Sequence, residues 1–200
     1  MWKRLQDLLG GARNRRIQVP RLRYSLGVSG MNSFTIFQTK EETELAIAVH
    51  QNAQISNVRL ARAKVAADHL GDAVKNPISV SMGVKAKQVN APADQLLVEV
   101  SFRLAGSRKE NQARNKTVIC VECTFEVTYQ LRPEFALTPE KANAFKDGNA
   151  IFNCWPYCRH YVQDMIQRMG YPPLILPFLR VQTKQRDGRK LPGAPPLTQR

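Results

Sequence analysis

Three stretches of the chain alternate apolar and polar residues with a period of two. In the first, Ile78, Val80, Met82 and Val84 share one face, with Ser79, Ser81, Lys85 and Lys87 on the other. The second sets Leu96, Val98, Val100, Phe102 and Leu104 against Glu99, Ser101 and Arg103. The third sets Ile119, Val121, Cys123, Phe125, Val127 and Tyr129 against Glu122, Thr124, Glu126 and Thr128. Such regular alternation predicts half-buried antiparallel strands over 78–88, 96–104 and 119–129. A fourth stretch, Ile55 to Leu70, is less regular. Val58 and Leu60 alternate, but the phase blurs near Arg62 and Lys64, as in a bulged or edge strand. The links Asn76-Pro77, Asn90-Ala91-Pro92 and Gly106 to Lys116 are compatible with turns.

Helical spacing replaces this pattern elsewhere. Lys40 to Gln51 places Leu45, Ala48 and Val49 together, which predicts a short helix. Thr138 is placed to cap another, with Pro139 at its first position. Ala150 to Met169 predicts the main helix, with a stripe of Ile151, Trp155, Cys158, Val162, Met165, Ile166 and Met169. It carries an interior proline, Pro156, which removes a hydrogen bond at a cost of about 3 kcal/mol and calls for strong packing. Gly170 ends it, Pro172-Pro173 follow, and Leu174 to Val181 read as an apolar, proline-broken extended segment. The fold class is therefore α+β: a four-stranded antiparallel sheet followed by a long helix. No internal repeat is visible.

Area then argues for partners. Four strands spaced about 4.8 Å apart are nearly twice as wide as one helix of about 10 Å. The three regular strands carry fifteen apolar residues on one face. Either the segment 174–181 finishes the cover or a second subunit does. The second subunit is the simpler answer, because Tyr157 and Tyr161 lie off the main stripe of the helix.

The formal net charge is +14. Residues 1–30 hold +6 and residues 181–200 hold +4, which leaves +4 on the body. The expected organisation is a basic, partly disordered arm over 1–33, a folded domain over 34–181, and a disordered Pro/Gly-rich tail over 182–200. The start, Met1 to Leu9, is too interrupted for a secretory signal; it reads as a surface helix or a disordered arm, or as a transit peptide in a eukaryotic host. No run of 18 apolar residues marks a membrane span. Cys120 and Cys123 lie in a strand pattern and point to opposite faces, while Cys154 and Cys158 share a helical face but make only half a metal site. Free thiols, no metal, no cofactor and a cytoplasmic location are expected.

No catalytic constellation emerges. His50, His69 and His160 are scattered, Cys154 and His160 do not share a helical face, and phosphate-loop and zinc-helix motifs are missing from the sequence. Nucleic acid could contact the basic tails. The aromatic residues Phe102, Phe125 and Tyr129, however, fall on the apolar strand faces and not among exposed cations.

The run Phe152-Asn153-Cys154-Trp155-Pro156-Tyr157-Cys158-Arg159-His160-Tyr161-Val162, followed by Met169-Gly170-Tyr171-Pro172-Pro173-Leu174, resembles the signature of the SecB protein-export chaperone family. The resemblance spans about 53–181 and extends to the SecB-like chaperones attached to toxin–antitoxin systems. It implies an ATP-independent holdase in which paired sheets sandwich the long helices of a dimer of dimers, with unfolded chains held in flanking grooves. Trp155 stands at the family's aromatic position, and Pro156, Tyr157 and Arg159 match directly. By the resemblance these four support the helix and the oligomer interface. Tyr161, Tyr171, Leu174, Leu176 and Phe178 are the candidate client groove. Export members dock a motor ATPase through an acidic strand face; Lys85 and Lys87 here argue against that docking. The extra basic arm and the lack of a helical pattern over 182–200 also depart from the family. The expected function is a chaperone for export or for an antitoxin client. The alternative is a basic RNA- or ribosome-associated adaptor.

Overall fold

The computed structural model describes residues 22–23, 34–68, 78–110 and 114–184. In chain order the elements are β1 (Leu22–Arg23), β2 (Phe34–Gln38), α1 (Lys40–His50), β3 (Ala53–Ala67), β4 (Ser79–Val89), β5 (Gln95–Glu110), β6 (Arg114–Leu131), α2 (Pro139–Phe145), a π-helical turn (Lys146–Ala150), α3 (Ile151–Arg168) and β7 (Leu179–Thr183). The fold is α+β, with the four expected strands in one antiparallel sheet ordered β4-β5-β6-β3 and the long helix after them. β1 adds a short fifth strand beside β4, pairing Leu22 with Val80. Most of the stretches read as basic arm and tail lie outside the described residues. β7 runs two residues into the stretch read as tail.

Register explains both the regular and the blurred patterns. Val84, Phe102 and Cys123 stand side by side across β4, β5 and β6. β3 pairs with β6 but shifts register between Ile55 and Asn57 and again between Leu60 and Arg62. Each bulge resets the alternation, so Ile55, Val58, Leu60, Ala63 and Val65 all face inward despite their uneven spacing. On the outer face Arg59 pairs with Glu126 at 2.7 Å, Arg62 with Glu99 at 2.8 Å and Arg103 with Glu122 at 3.1 Å. Exposed pairs like these contribute at most about 1 kcal/mol each, and their main effect is a balanced polar face.

The inner face carries the core. Val98, Val100, Phe102, Leu104, Val121 and Val127 are buried beneath α3, whose Ile151, Cys154, Trp155, Cys158, Val162 and Ile166 face the sheet. The helix does not cover this face alone, and much of the remaining cover comes from the same chain. β2 and β7 form a separate parallel ribbon that brings Phe34, Ile36 and Leu179 into the core. The segment after α3 adds Tyr171 and Leu176, with the Tyr171 hydroxyl donating to the Asp68 carbonyl at 3.1 Å. β3 stays largely uncovered.

The two expected helices are one continuous run. Thr138 caps α2, its hydroxyl accepting from the Lys141 amide, and Pro139 takes the first position. At Gly148 the helix widens to a π turn instead of ending. A Cβ there would sit 2.6 Å from the Gln38 side chain, so glycine is needed for close approach. Gln38 is buried and its Nε2 donates to the Ala144 carbonyl at 2.8 Å, tying β2 to the helix. Gly170 ends α3 at φ 80°, and the Tyr171 amide folds back to the Ile166 carbonyl.

Candidate functional site

The four motif residues occupy different environments around α3. Trp155 is buried within its own chain. Its ring meets Phe34 edge-on at 5.1 Å and Phe102 at 5.9 Å, and its Nε1 donates to the Pro177 carbonyl at 3.0 Å. It therefore joins helix, sheet, β2 and the C-terminal segment. Pro156 is exposed, so the side of the helix that lost a hydrogen bond faces outward. Tyr157 is half exposed and lies 6.1 Å from the ring of Phe125 in β6. Arg159 stacks its guanidinium on Phe178 at 4.8 Å.

The five residues read as a groove do not share one surface. Tyr171 and Leu176 point into the core. Tyr161 and Leu174 are half-buried against it. Phe178 alone stands clear, 69% exposed. Among the described residues, two groups of exposed apolar side chains bear on the site. One is on the inner face of β3, where Ile55 and Leu60 are 45% and 43% exposed, and it adjoins α3 through Tyr157, which lies near Phe125, the strand partner of Leu60. The other is the outward side of the β2–β7 ribbon, with Phe37 and Phe178. Sequence reasoning missed Ile55, Leu60 and Phe37. Leu60 alternates with Val58 and could have been flagged by the width argument that one helix cannot cover four strands, whereas Ile55 is out of phase with both.

The buried polar chemistry is structural. Cys123, Cys154 and Cys158 are buried close together between β6 and α3. Burial pushes the Cys154 thiol up to about 12, and it pushes Cys158 well above the ordinary thiol range, with Cys123 adding to the effect. Such thiols are poor nucleophiles and poor ligands. Cys120 faces the other side of the sheet, beside Glu122. Burial also raises the Tyr129 phenol, although the hydrogen bond from Asn153 opposes it. Among the described residues no group of three or more His, Cys, Asp or Glu side chains is arranged to hold a metal ion. His50 and His160 are exposed, and His69 lies outside the described residues. Among the described residues no helix is long and apolar enough to cross a membrane.

No protein-family model and no curated protein matches the sequence. The structure does have a counterpart. It resembles a SecB-like chaperone of Mycobacterium tuberculosis in complex with a ChAD peptide from an antitoxin, at 22% identity and a TM-score of 0.59. The likeness covers 70% of this chain and 98% of that one. A protein of unknown function from Streptococcus agalactiae aligns at 8% identity and a TM-score of 0.38, over 63% of this chain and 97% of that one. The chain has the SecB-like fold.

Proposed function

We propose that this protein is a chaperone that holds non-native polypeptides without ATP. The observation that carries the proposal is the presence, on a SecB-like frame, of two exposed apolar surfaces, the inner face of β3 beside Tyr157 and the β2–β7 ribbon. Large exposed apolar side chains grouped in this way mark interaction sites. The neighbour's antitoxin peptide favours a short-segment client of that kind over a secreted preprotein. Exposed Lys85 and Lys87 on the outer sheet face speak against docking of an export motor through acidic residues.

Self-association belongs to the same proposal. The 15-residue β3 has no second neighbour strand among the described residues, whereas the opposite edge, β4, is met by β1. An open edge beside Ile55, Leu60 and Tyr157 suits pairing with a second copy, and stacking of two such pairs through the outward side of α3 gives a homotetramer. Free thiols fit a reducing, cytoplasmic setting.

The basic tails support the second reading, an RNA- or ribosome-associated adaptor. The sheet itself does not support it, since its outer cations are interleaved with carboxylates and its aromatics face the core. Fluorescence anisotropy separates the two. The full chain should bind an unfolded, labelled polypeptide, ignore the same polypeptide when folded, and change little between low and moderate salt. Binding of RNA alone, weakening steeply with salt, would transfer the assignment to the adaptor.

A further inference from the structure

The outward side of the β2–β7 ribbon combines aromatic rings with cations in a regular order. β2 and β7 are parallel, with Phe34 opposite Leu179, Ile36 opposite Val181 and Phe37 opposite Gln182. Phe34 and Leu179 face the core, so Phe178, Arg180 and Gln182 alternate outward on one strand while Phe37 points outward on the other. Phe178 and Phe37 are thus four residues apart along the ribbon, about 13 Å. They are 69% and 54% exposed. Arg180 lies between them, Arg159 supports the ring of Phe178, and Lys184 closes a shallow cleft beside Phe37.

The charge of this strip differs from that of the sheet. Cations on the outer sheet face are matched by Glu126, Glu99 and Glu122. Arg159, Arg180 and Lys184 form no ion pair among the described residues, and residues 165–183 contain no acid at all. In the first turn of α1, Glu42 closes the capping box on Thr39. Two exposed rings separated by an unmatched cation, with further cations at either end, complement an extended chain that has apolar side chains about four residues apart and carboxylates around them.

We propose that this strip, Phe178, Arg180, Phe37 and Lys184 with Arg159, is a binding site for extended, acidic segments of polypeptide bearing two spaced apolar residues. The proposal rests on the polypeptide-binding function above and adds a client class to it. Apolar contact supplies affinity and the unmatched cations select the sign of the client's charge.

The test uses the full chain and three labelled peptides of one length, each with two phenylalanines four residues apart and with Glu, Lys or Gln at the remaining positions. Anisotropy at moderate salt should show the Glu peptide binding about tenfold more tightly than the Lys peptide. Arg180→Glu with Lys184→Glu should abolish or reverse that preference and leave the Gln peptide within about twofold, and Arg180→Gln with Lys184→Gln should abolish it without reversal. Equal binding of the Glu and Lys peptides by the unaltered protein would overturn the site. So would a preference that survives both double variants but vanishes with Arg189→Glu and Lys190→Glu, which would place the selection in the tail. If none of the three peptides binds and unfolded polypeptide does not bind either, the chaperone function itself is wrong.

Discussion

Trp155 shows how one side chain is committed by its surroundings. The resemblance places it with residues that support the helix and the oligomer interface, yet here three other parts of its own chain converge on it. Trp155→Ala should lower the unfolding free energy by about 3–5 kcal/mol in a urea titration. Trp155→Phe, which keeps a ring and loses the hydrogen bond to the Pro177 carbonyl, should cost nearer 1 kcal/mol from that bond. A loss of assembly with unchanged unfolding would instead place Trp155 between subunits. The cysteines make a second residue-scale case. Cys154 and Cys158 are fully buried and kept protonated, whereas Cys120 is partly open. Iodoacetamide should label Cys120 first in the native protein, and all four after denaturation, as read by intact mass. Because burial raises these thiols above the unfolded value of about 8.5, the stability they contribute is complete below that pH and is lost as pH rises through the alkaline range. The slope rises toward about 1.4 kcal/mol per pH unit for each thiol as the unfolded thiol ionises, and chemical denaturation at pH 8, 9 and 10 would measure it.

At the scale of elements, period-two alternation made β4, β5 and β6 legible because each buries one face and wets the other. β3 was legible as a bulged or edge strand but not in its facing, since its two register shifts bring inward residues out of phase. β2 was not read, and β7 was visible only as the end of the extended segment 174–181. Each is five residues long, and their parallel pairing joins positions more than 140 apart, which no local pattern encodes. The join between α2 and α3 was hidden for a different reason. The sequence reads as one helix opened by Pro139 and another from Ala150, yet Gly148 between them is there so that Gln38 can pack on the helix and satisfy the Ala144 carbonyl. Gly148→Ala should therefore destabilise the protein, although alanine is the better helix former. Gln38→Ala should cost about 1–3 kcal/mol by leaving a buried carbonyl unpaired. The double variant should cost less than the sum of the two, because the clash and the hydrogen bond involve the same pair, and a thermal-melt cycle would detect this. Full additivity would mean that the two positions do not interact.

At the scale of the whole molecule, the apolar surface left by one chain is what makes assembly and client binding expected. The candidate site was legible in kind, as a surplus of aromatic residues near the end of α3, but not in membership. Tyr171 and Leu176 were absorbed by the core, while Ile55, Leu60 and Phe37 emerged from elements whose exposure depends on distant neighbours. Multi-angle light scattering on a size-exclusion column should give a mass near four chains, falling to two on dilution. Leu60→Glu, at a half-exposed position on the open edge strand, should reduce the assembly while leaving the chain folded. The most direct measurement follows the turbidity of a denatured substrate protein as it aggregates, with the full chain present and no nucleotide added. Turbidity should be suppressed at near-equimolar amounts, at low and moderate salt alike, and Phe37→Ser with Phe178→Ser should weaken that suppression. Aggregation that proceeds unchanged at every ratio of the folded, assembled protein to substrate would contradict a chaperone function.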